Sequence, residues 1–430
     1  MTVSKKADSI RDVIRYLQKF KGAVIVIYLD DKIIHSSLFA LHIRDIALLH
    51  QAGLKVVIIP GARARIDEVL SSNGIKWSYK NNIRVTQEDA MPLVKMAAFD
   101  VSNTVMTNLA ANGITAVIGN WVRSRAKGVV EGYDFGTAGE IDRLDTASLQ
   151  TILTDGFIPI FPCIGWNSVG HPYNISSIVL AQQVAVELKA DKLFFVMGEG
   201  DSVSIKKNGE VVPAMNIEEL DEYAAELKNG ASDSEQVLNI LNLAKQACCN
   251  GVNRTHLLDG NIEGVFLTEI FSDLGSGTMI YTSNYGKIRQ MQQSDIPSVL
   301  ALMQPFIQNG KLLPRTQSNL QQNLKEYIVY ELDGGIRACA ALHIYSDGQA
   351  EISAIAVDEA FGHMGIGPAL TQKLISQAKE QNVVSIFIMT TQASDWFEKL
   401  GFSPDVIESL PPERLKKWTP ERNSKVYRLK

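Results

Sequence analysis

The sequence predicts an α/β protein in two parts: a mostly parallel sheet sandwiched by helices over residues 1–285, and an α+β domain with a mixed, largely antiparallel sheet over 286–430. Three observations predict it. At 430 residues the chain exceeds what one hydrophobic core usually serves. Its first part alternates continuous apolar runs with helical stretches, the grammar of βαβ units. Its second part carries two hairpin signals, Asp333-Gly334-Gly335 and Ser346-Asp347-Gly348, between strand-like runs.

The N-terminus, MTVSKKADSIRDVIRYL, reads as an amphipathic helix with Ile10, Val13, Ile14 and Leu17 on one stripe. AVIVIYL then forms the first strand, a helix runs through Ile46, Leu48 and Leu49, and Gly53 leads into the strand KVVIIP. Further strands read at AVIG, IPIFPCIG and KLFFVMG, each bounded by Gly or Pro. TSNYGK after Tyr281 reads as a linker, and Ser294 or Asp295 with Pro297 opens a new helix. IVYELDGGIRACAALHIY and AEISAIAV are strands, and FGHMGIGPALTQKLISQAKEQ is a glycine turn opening a helix. The strand VVSIFIMT and a short helix at DWFEKLGF follow.

Composition narrows the function. A net charge of −5 and a pI near 5.9 give no reason to expect a nucleic-acid partner. No apolar run approaches the roughly 18 residues of a membrane span, and the N-terminus lacks a signal-peptide core, so a cytoplasmic protein is expected. Cys163, Cys248, Cys249 and Cys339 form no C-x-x-C pair, which predicts reduced, packed thiols and no metal site.

A strand, a glycine turn and a helix N-terminus in that order make an anion cradle, because first-turn amides point at the ligand and the dipole favours negative charge. Such turns more often merely connect elements. The run AVDEAFGHMGIGPAL, then SIFIMTT, then DWFEKLGF, resembles the GNAT acetyltransferase superfamily, whose coenzyme A pyrophosphate loop reads Gln/Arg-x-x-Gly-x-Gly/Ala. The resemblance implies that Gly362, His363, Met364, Gly365, Ile366 and Gly367 hold the phosphates of acetyl-CoA, with Gly362 departing from the usual Arg or Gln. It also implies that the main chain of Ile355, Ala356 and Val357 pairs with the pantetheine arm, although as bare sequence these side chains read as core.

Aminolysis of a thioester needs a neutral amine, hence a base. Glu351 stands in an otherwise apolar strand, where desolvation would raise its pKa; an exposed carboxylate at the strand's start is the plain alternative. The amides near Ile355 suit an oxyanion. Thr391 and Ser394 are the candidates for the acid that protonates the departing thiolate, since no tyrosine stands near that point. A dicarboxylate acceptor needs guanidinium forks, and Arg315 and Arg422 offer them, although in the tail ERLKKWTPERNSKVYRLK any single Arg reads first as surface charge. KLLPRT and RNSKVY resemble segments of the bacterial N-acetylglutamate synthase family. That resemblance places Glu351 as the base, Arg315, Arg422 and Ser424 on the glutamate carboxylates, and the Leu313 main chain near the amine.

Residues from about Tyr16 to Ile280 resemble the amino-acid kinase family, and the two halves together resemble the synthases over nearly the whole chain. A working kinase opens with Lys-x-Gly-Gly; this chain has Tyr28-Leu29-Asp30-Asp31, and Ile178 stands where a catalytic aspartate belongs. The first domain is therefore expected to be catalytically inactive. RTHLLDGNIEGVFLTEIFSDLGSGTMI resembles the arginine-binding segment of arginine-sensitive relatives, which implies an effector site at His256, Glu269, Gly275 and Gly277. His256 also reads as a satisfied strand-edge residue, and the glycines as plain turns. The N-terminal helix with Tyr16 resembles the arm that interlaces dimers into hexamers, although as bare sequence it reads first as an amphipathic helix packing on its own domain. The expected activity is acetyl transfer from acetyl-CoA to the α-amino group of L-glutamate, the first step of arginine biosynthesis, with L-arginine as effector. An acetyltransferase for another amino acid, or an arginine sensor with a decayed transferase, are the alternatives.

Overall fold

Apolar runs bounded by glycine or proline become the central strands of the first of two compact units, Met1–Ser283 and Asn284–Lys430, into which the chain divides. The computed structural model describes residues 14, 20–198, 204–207, 210–230, 235–271, 275–282, 286–332, 334–419 and 422–429. Tyr16 therefore lies outside the described residues.

The main sheet of the first unit has eight strands: β1 (Val24–Leu29), β2 (Lys55–Pro60), β3 (Ala116–Ile118), β4 (Ile158–Ile160), β5 (Lys192–Met197), β6 (Ala214–Asn216), β7 (Arg254–Asp259) and β8 (Thr278–Tyr281). Their spatial order is β6-β8-β7-β5-β1-β2-β4-β3. All pairs are parallel except β7 with β8. Every residue of β5 is buried, and all but the first of β1 and β2, as continuous apolar strands covered on both faces require. Among the helices are α1 (Asp31–Ile34), α2 (Phe39–Gln51), α3 (Arg63–Ser72), α4 (Met91–Ala111), α5 (Ser177–Glu187), α6 (Glu235–Cys249) and α7 (Val265–Phe271). The run IPIFPCIG splits: β4 stops before Phe161-Pro162, and Ile164–Trp166 joins a separate four-stranded sheet. Pro162 has no N–H to continue the ladder.

Cys163, Cys248 and Cys339 are buried, but Cys249 is exposed, against the expectation of four packed thiols. Successive helix residues point about 100° apart, so Cys248 can face the core and Cys249 cannot. Among the described residues no helix is long and apolar enough to cross a membrane.

The second unit is a seven-stranded sheet of β9 (Lys287–Gln290), β10 (Tyr327–Leu332), β11 (Gly335–Ile344), β12 (Gln349–Val357), β13 (Ser385–Thr390), β14 (Phe402–Asp405) and β15 (Lys425–Leu429), ordered β9-β10-β11-β12-β13-β15-β14. Only β12 with β13 is parallel. Both hairpins form where the turn signals stand, with Gly334 at φ +70° and Gly348 at φ +82°. Helix α8 (Ile296–Gln308), with Pro297 in its first turn, and α9 (Ile366–Glu380) serve separate cores: Val299 and Met303 pack with Val329, Cys339 and Ala356, while Ile366, Leu370 and Leu374 pack with Ile328, Ala340 and Ile352. The unit also carries short helices, among them α10 (Ser394–Lys399) and α11 (Pro412–Leu415).

Candidate active site

The parallel pair β12 and β13 is in register over only three residues, Gln349 with Ser385, Ala350 with Ile386 and Glu351 with Phe387. β12 continues to Val357 and β13 to Thr390 with no further pairing between them, so the strands part just after Glu351. A bulge accompanies the parting: Cys339 pairs with Ala356 and Ala341 with Ser353, leaving Ala340 opposite both Ala354 and Ile355. Ala354 takes φ +54°, and a bulged strand bends and twists. The extra residue also shifts the phase of the strand. Ala350 and Ile352 face the α9 core before the bulge, and Ile355 and Val357 face it afterwards. The β13 side of Ile352–Val357 thus presents main-chain groups with no ladder partner, suited to an extended amide-bearing ligand.

β12 runs through a 3-10 turn, Glu359–Met364, into α9. Gly365 is the N-cap in the left-handed conformation, φ +65°, and no side chain caps the helix. The amides of Ile366 and Gly367 are therefore left for an anion, while Pro368 has none to offer. A Cβ on Gly367 would lie 3.1 Å from Trp396 and 3.7 Å from Val357, a crowded position. A Cβ on Gly362 would meet nothing within 4 Å, so the departure at this position is not forced by packing.

Glu351 is 7% exposed, which removes the alternative of a solvated carboxylate. Its Oε2 accepts hydrogen bonds from Tyr345 Oη at 2.7 Å and Arg414 Nε at 2.8 Å. Burial of this group is thus accompanied by an ion pair, which the apolar strand pattern alone did not reveal. Tyr345 stacks on Phe387, with ring centroids 6.0 Å apart. Its hydroxyl holds its proton far more tightly than usual, first because it is buried and then because the Glu351 charge faces it.

Arg315 places Nε 3.3 Å from Tyr327 Oη, and Arg422 donates to the carbonyl of Lys311 at 3.0 Å. The Arg422 guanidinium binds its proton less tightly than usual, through burial first and then through the charges of Arg414 and Arg315. The charges of Arg315 and Arg414 thus both reach Arg422. Leu313, two residues before Arg315 in the chain, is 44% exposed. Ser424 lines a cleft of about 350 Å³ with Pro404, Asp405 and Tyr427. Thr391 lies just beyond β13 and Ser394 opens α10, both half-buried. The neighbouring Thr390 hydroxyl accepts from the amides of Gln392 and Ala393 and so shapes the turn that carries them.

Sequence reasoning missed Tyr345 and Arg414. Tyr345 was legible: the Ser346-Gly348 turn makes Tyr345 and Gln349 the closing pair, which puts Tyr345 and Glu351 diagonally on one face. Arg414 stands 63 residues beyond its partner in a basic tail and had no such signal.

In the first unit, His256 lies on β7, an interior strand between β5 and β8 and not an edge. Its Nδ1 meets Glu269 Oε1 at 2.6 Å, and Glu269 Oε2 accepts from the amides of Ser276 at 2.7 Å and Gly277 at 2.9 Å. Gly275 has φ +69°, and a Cβ there would lie 2.5 Å from Glu269 Oε2. His256, Glu269 and the Gly275–Gly277 turn thus form one cluster, in which Glu269 already serves internal donors and Oε1 keeps acceptor capacity for a further one. After β1, Asp30 caps α1 through Lys32 N at 3.0 Å, and Asp31 accepts from Ala64 N in the first turn of α3. A carboxylate of the chain itself fills that helix terminus. Ile178 packs into the core from the first turn of α5. Among the described residues no three His, Cys, Asp or Glu are grouped to hold a metal ion.

Residues 22–259 match the amino acid kinase family and residues 297–402 the GNAT acetyltransferase family. An amino-acid acetyltransferase of Photobacterium profundum is 32% identical, with 96% of each chain covered. Another, of Pasteurella multocida, is 31% identical over 96% of this chain and 94% of its own. The crystal structure of N-acetylglutamate synthase from Neisseria gonorrhoeae complexed with coenzyme A and L-arginine is similar over 99% of both chains, at 28% identity and a TM-score of 0.81. The same enzyme complexed with coenzyme A and N-acetyl-glutamate gives a TM-score of 0.63 over 98% of both chains. The chain belongs to the amino-acid acetyltransferase family, with an amino acid kinase fold followed by a GNAT acetyltransferase fold.

Proposed function

We propose that this enzyme transfers the acetyl group of acetyl-CoA to the α-amino group of L-glutamate, the first step of arginine biosynthesis. The observation that carries the reading is the place of Glu351: a buried carboxylate on the last paired residue before β12 and β13 separate, paired with the Arg414 guanidinium. Acetyl-CoA lies along the unpaired edge of β12, its pantetheine amides against Ile355, Ala356 and Val357. Its pyrophosphate meets the turn Gly362–Gly367 at the N-terminus of α9, where Ile366 and Gly367 supply amides. Glu351 takes a proton from the acceptor's ammonium, directly or through water. Main-chain N–H groups near Ile355 receive the developing oxyanion, and Thr391 or Ser394 delivers the proton to the leaving thiolate. Arg315, Arg422 and Ser424 hold the acceptor's carboxylates, with the main chain of Leu313 near the amine.

The first unit is proposed as a regulatory one that binds L-arginine at His256, Glu269, Gly275 and Gly277, and Tyr16 belongs to the same proposed site. The remaining acceptor capacity of Glu269 Oε1 suits a guanidinium. A hexameric assembly in the cytoplasm is part of this reading. Calorimetry with L-arginine tests the effector site. Heat of binding lost in Glu269→Gln supports it, and undiminished binding in that variant removes Glu269 from the site.

A further inference from the structure

Arg414 sits in α11, a helix of four residues, and reaches Glu351 with only its Nε. The two side chains are 14% and 10% exposed. Among the described residues this is the only hydrogen bond of the Arg414 side chain, so both of its Nη groups lack a protein partner. Its charge acts on Arg422 together with that of Arg315. Glu326, the other carboxylate whose charge reaches Tyr345, is engaged by His343 Nδ1 at 2.9 Å. The charges of Arg315 and Arg414 both reach Arg422 while Glu351 pairs with Arg414, and like charges acting on one another favour an anionic occupant.

The guanidinium is a rigid planar fork whose Nε and Nη donors address different acceptors at a fixed separation. An amine about to lose its proton to Glu351 must lie beside that carboxylate, and in an α-amino acid the α-carboxylate is attached to the same carbon. We propose that Arg414 is the positioning residue that ties the acceptor to its base: Nε holds Glu351 while the Nη groups take the acceptor's α-carboxylate. Arg315 and Arg422 are left for the side-chain carboxylate. The inference rests on the glutamate reading above and adds a division of labour among the three arginines.

The test uses the full-length enzyme, Arg414→Ala and Arg414→Lys, with L-glutamate and its two isosteric amides, L-isoglutamine at the α-carboxyl and L-glutamine at the γ-carboxyl. kcat/KM is measured for each, with the unfolding midpoint and the Kd for coenzyme A as checks on the fold. The wild type should prefer L-glutamate over both amides. Both variants should lose about 10-fold or more of the preference over L-isoglutamine, keep the preference over L-glutamine, and bind coenzyme A as before. Lysine should not rescue, because it offers a point charge without the fork, whereas added guanidinium ion should partly restore Arg414→Ala. If the alanine variant fails to fold, the lysine variant decides. An unchanged preference over L-isoglutamine overturns the proposal, and so does loss of the preference over L-glutamine instead. A wild type that does not prefer L-glutamate at all overturns the glutamate reading itself, a different failure from retained discrimination in the variants.

Discussion

His256 and Glu269 share one buried hydrogen bond, Nδ1 to Oε1 at 2.6 Å, with each side chain 3% exposed. The imidazole stacks on Phe194 with centroids 4.7 Å apart. Burial first, and then the Lys192 ammonium, pushes its pKa down to about 4, so the ring is neutral at pH 7. Burial alone would raise Glu269, but the His256 bond and the amides of Ser276 and Gly277 outweigh it and hold the carboxyl low.

A pH dependence of stability follows. The folded-state pKa of His256 lies below the ordinary value of 6.5, so between these limits the unfolded chain binds a proton that the folded chain does not. The contribution is complete above pH 6.5 and is lost as the pH falls toward 4. The unfolding midpoint of the first unit should therefore drop between pH 7 and pH 5, and less so in His256→Gln. A wild-type midpoint that is level across this window contradicts the assignment.

Glu351→Gln should keep the shape of the site while removing the proton acceptor. Coenzyme A binding should stay near the wild-type Kd, and single-turnover acetyl transfer should slow about 100-fold or more. An unchanged rate takes Glu351 out of the mechanism.

Gly365→Ala isolates backbone strain, since φ is +65° and a Cβ there would touch nothing within 4 Å. The left-handed conformation costs an L-residue about 1–2 kcal/mol, which denaturant unfolding of the second unit should register. If stability is unaltered, the turn relaxes without effort and does not need glycine.

The first unit should have no kinase activity. With ATP, magnesium and N-acetylglutamate, ADP should not rise above background, because Asp30 and Asp31 are buried where phosphate would be cradled and Ile178 replaces the acid. Steady ADP release refutes this.

Much of the fold was legible because the parallel strands are continuous apolar runs and both hairpins carry glycine turns. The bulge left a trace: Ile352, Ile355 and Val357 break the period of two expected of a half-buried strand. The split of IPIFPCIG was likewise announced by Pro162. The site was legible in its local parts, the glycine turn and a carboxylate in an apolar strand. It was opaque where the partners are distant in sequence. Arg414 reaches Glu351 only after the tail folds back, and the Gly275–Gly277 turn was legible as a turn but not as the source of the amides that engage Glu269.

The most direct test of the account is release of free thiol from acetyl-CoA by the full-length enzyme, measured across the common amino acids as acceptors. Release should be fastest with L-glutamate, and the product should be N-acetylglutamate. Equal or faster release with a monocarboxylate amino acid, or none with any acceptor, would contradict it.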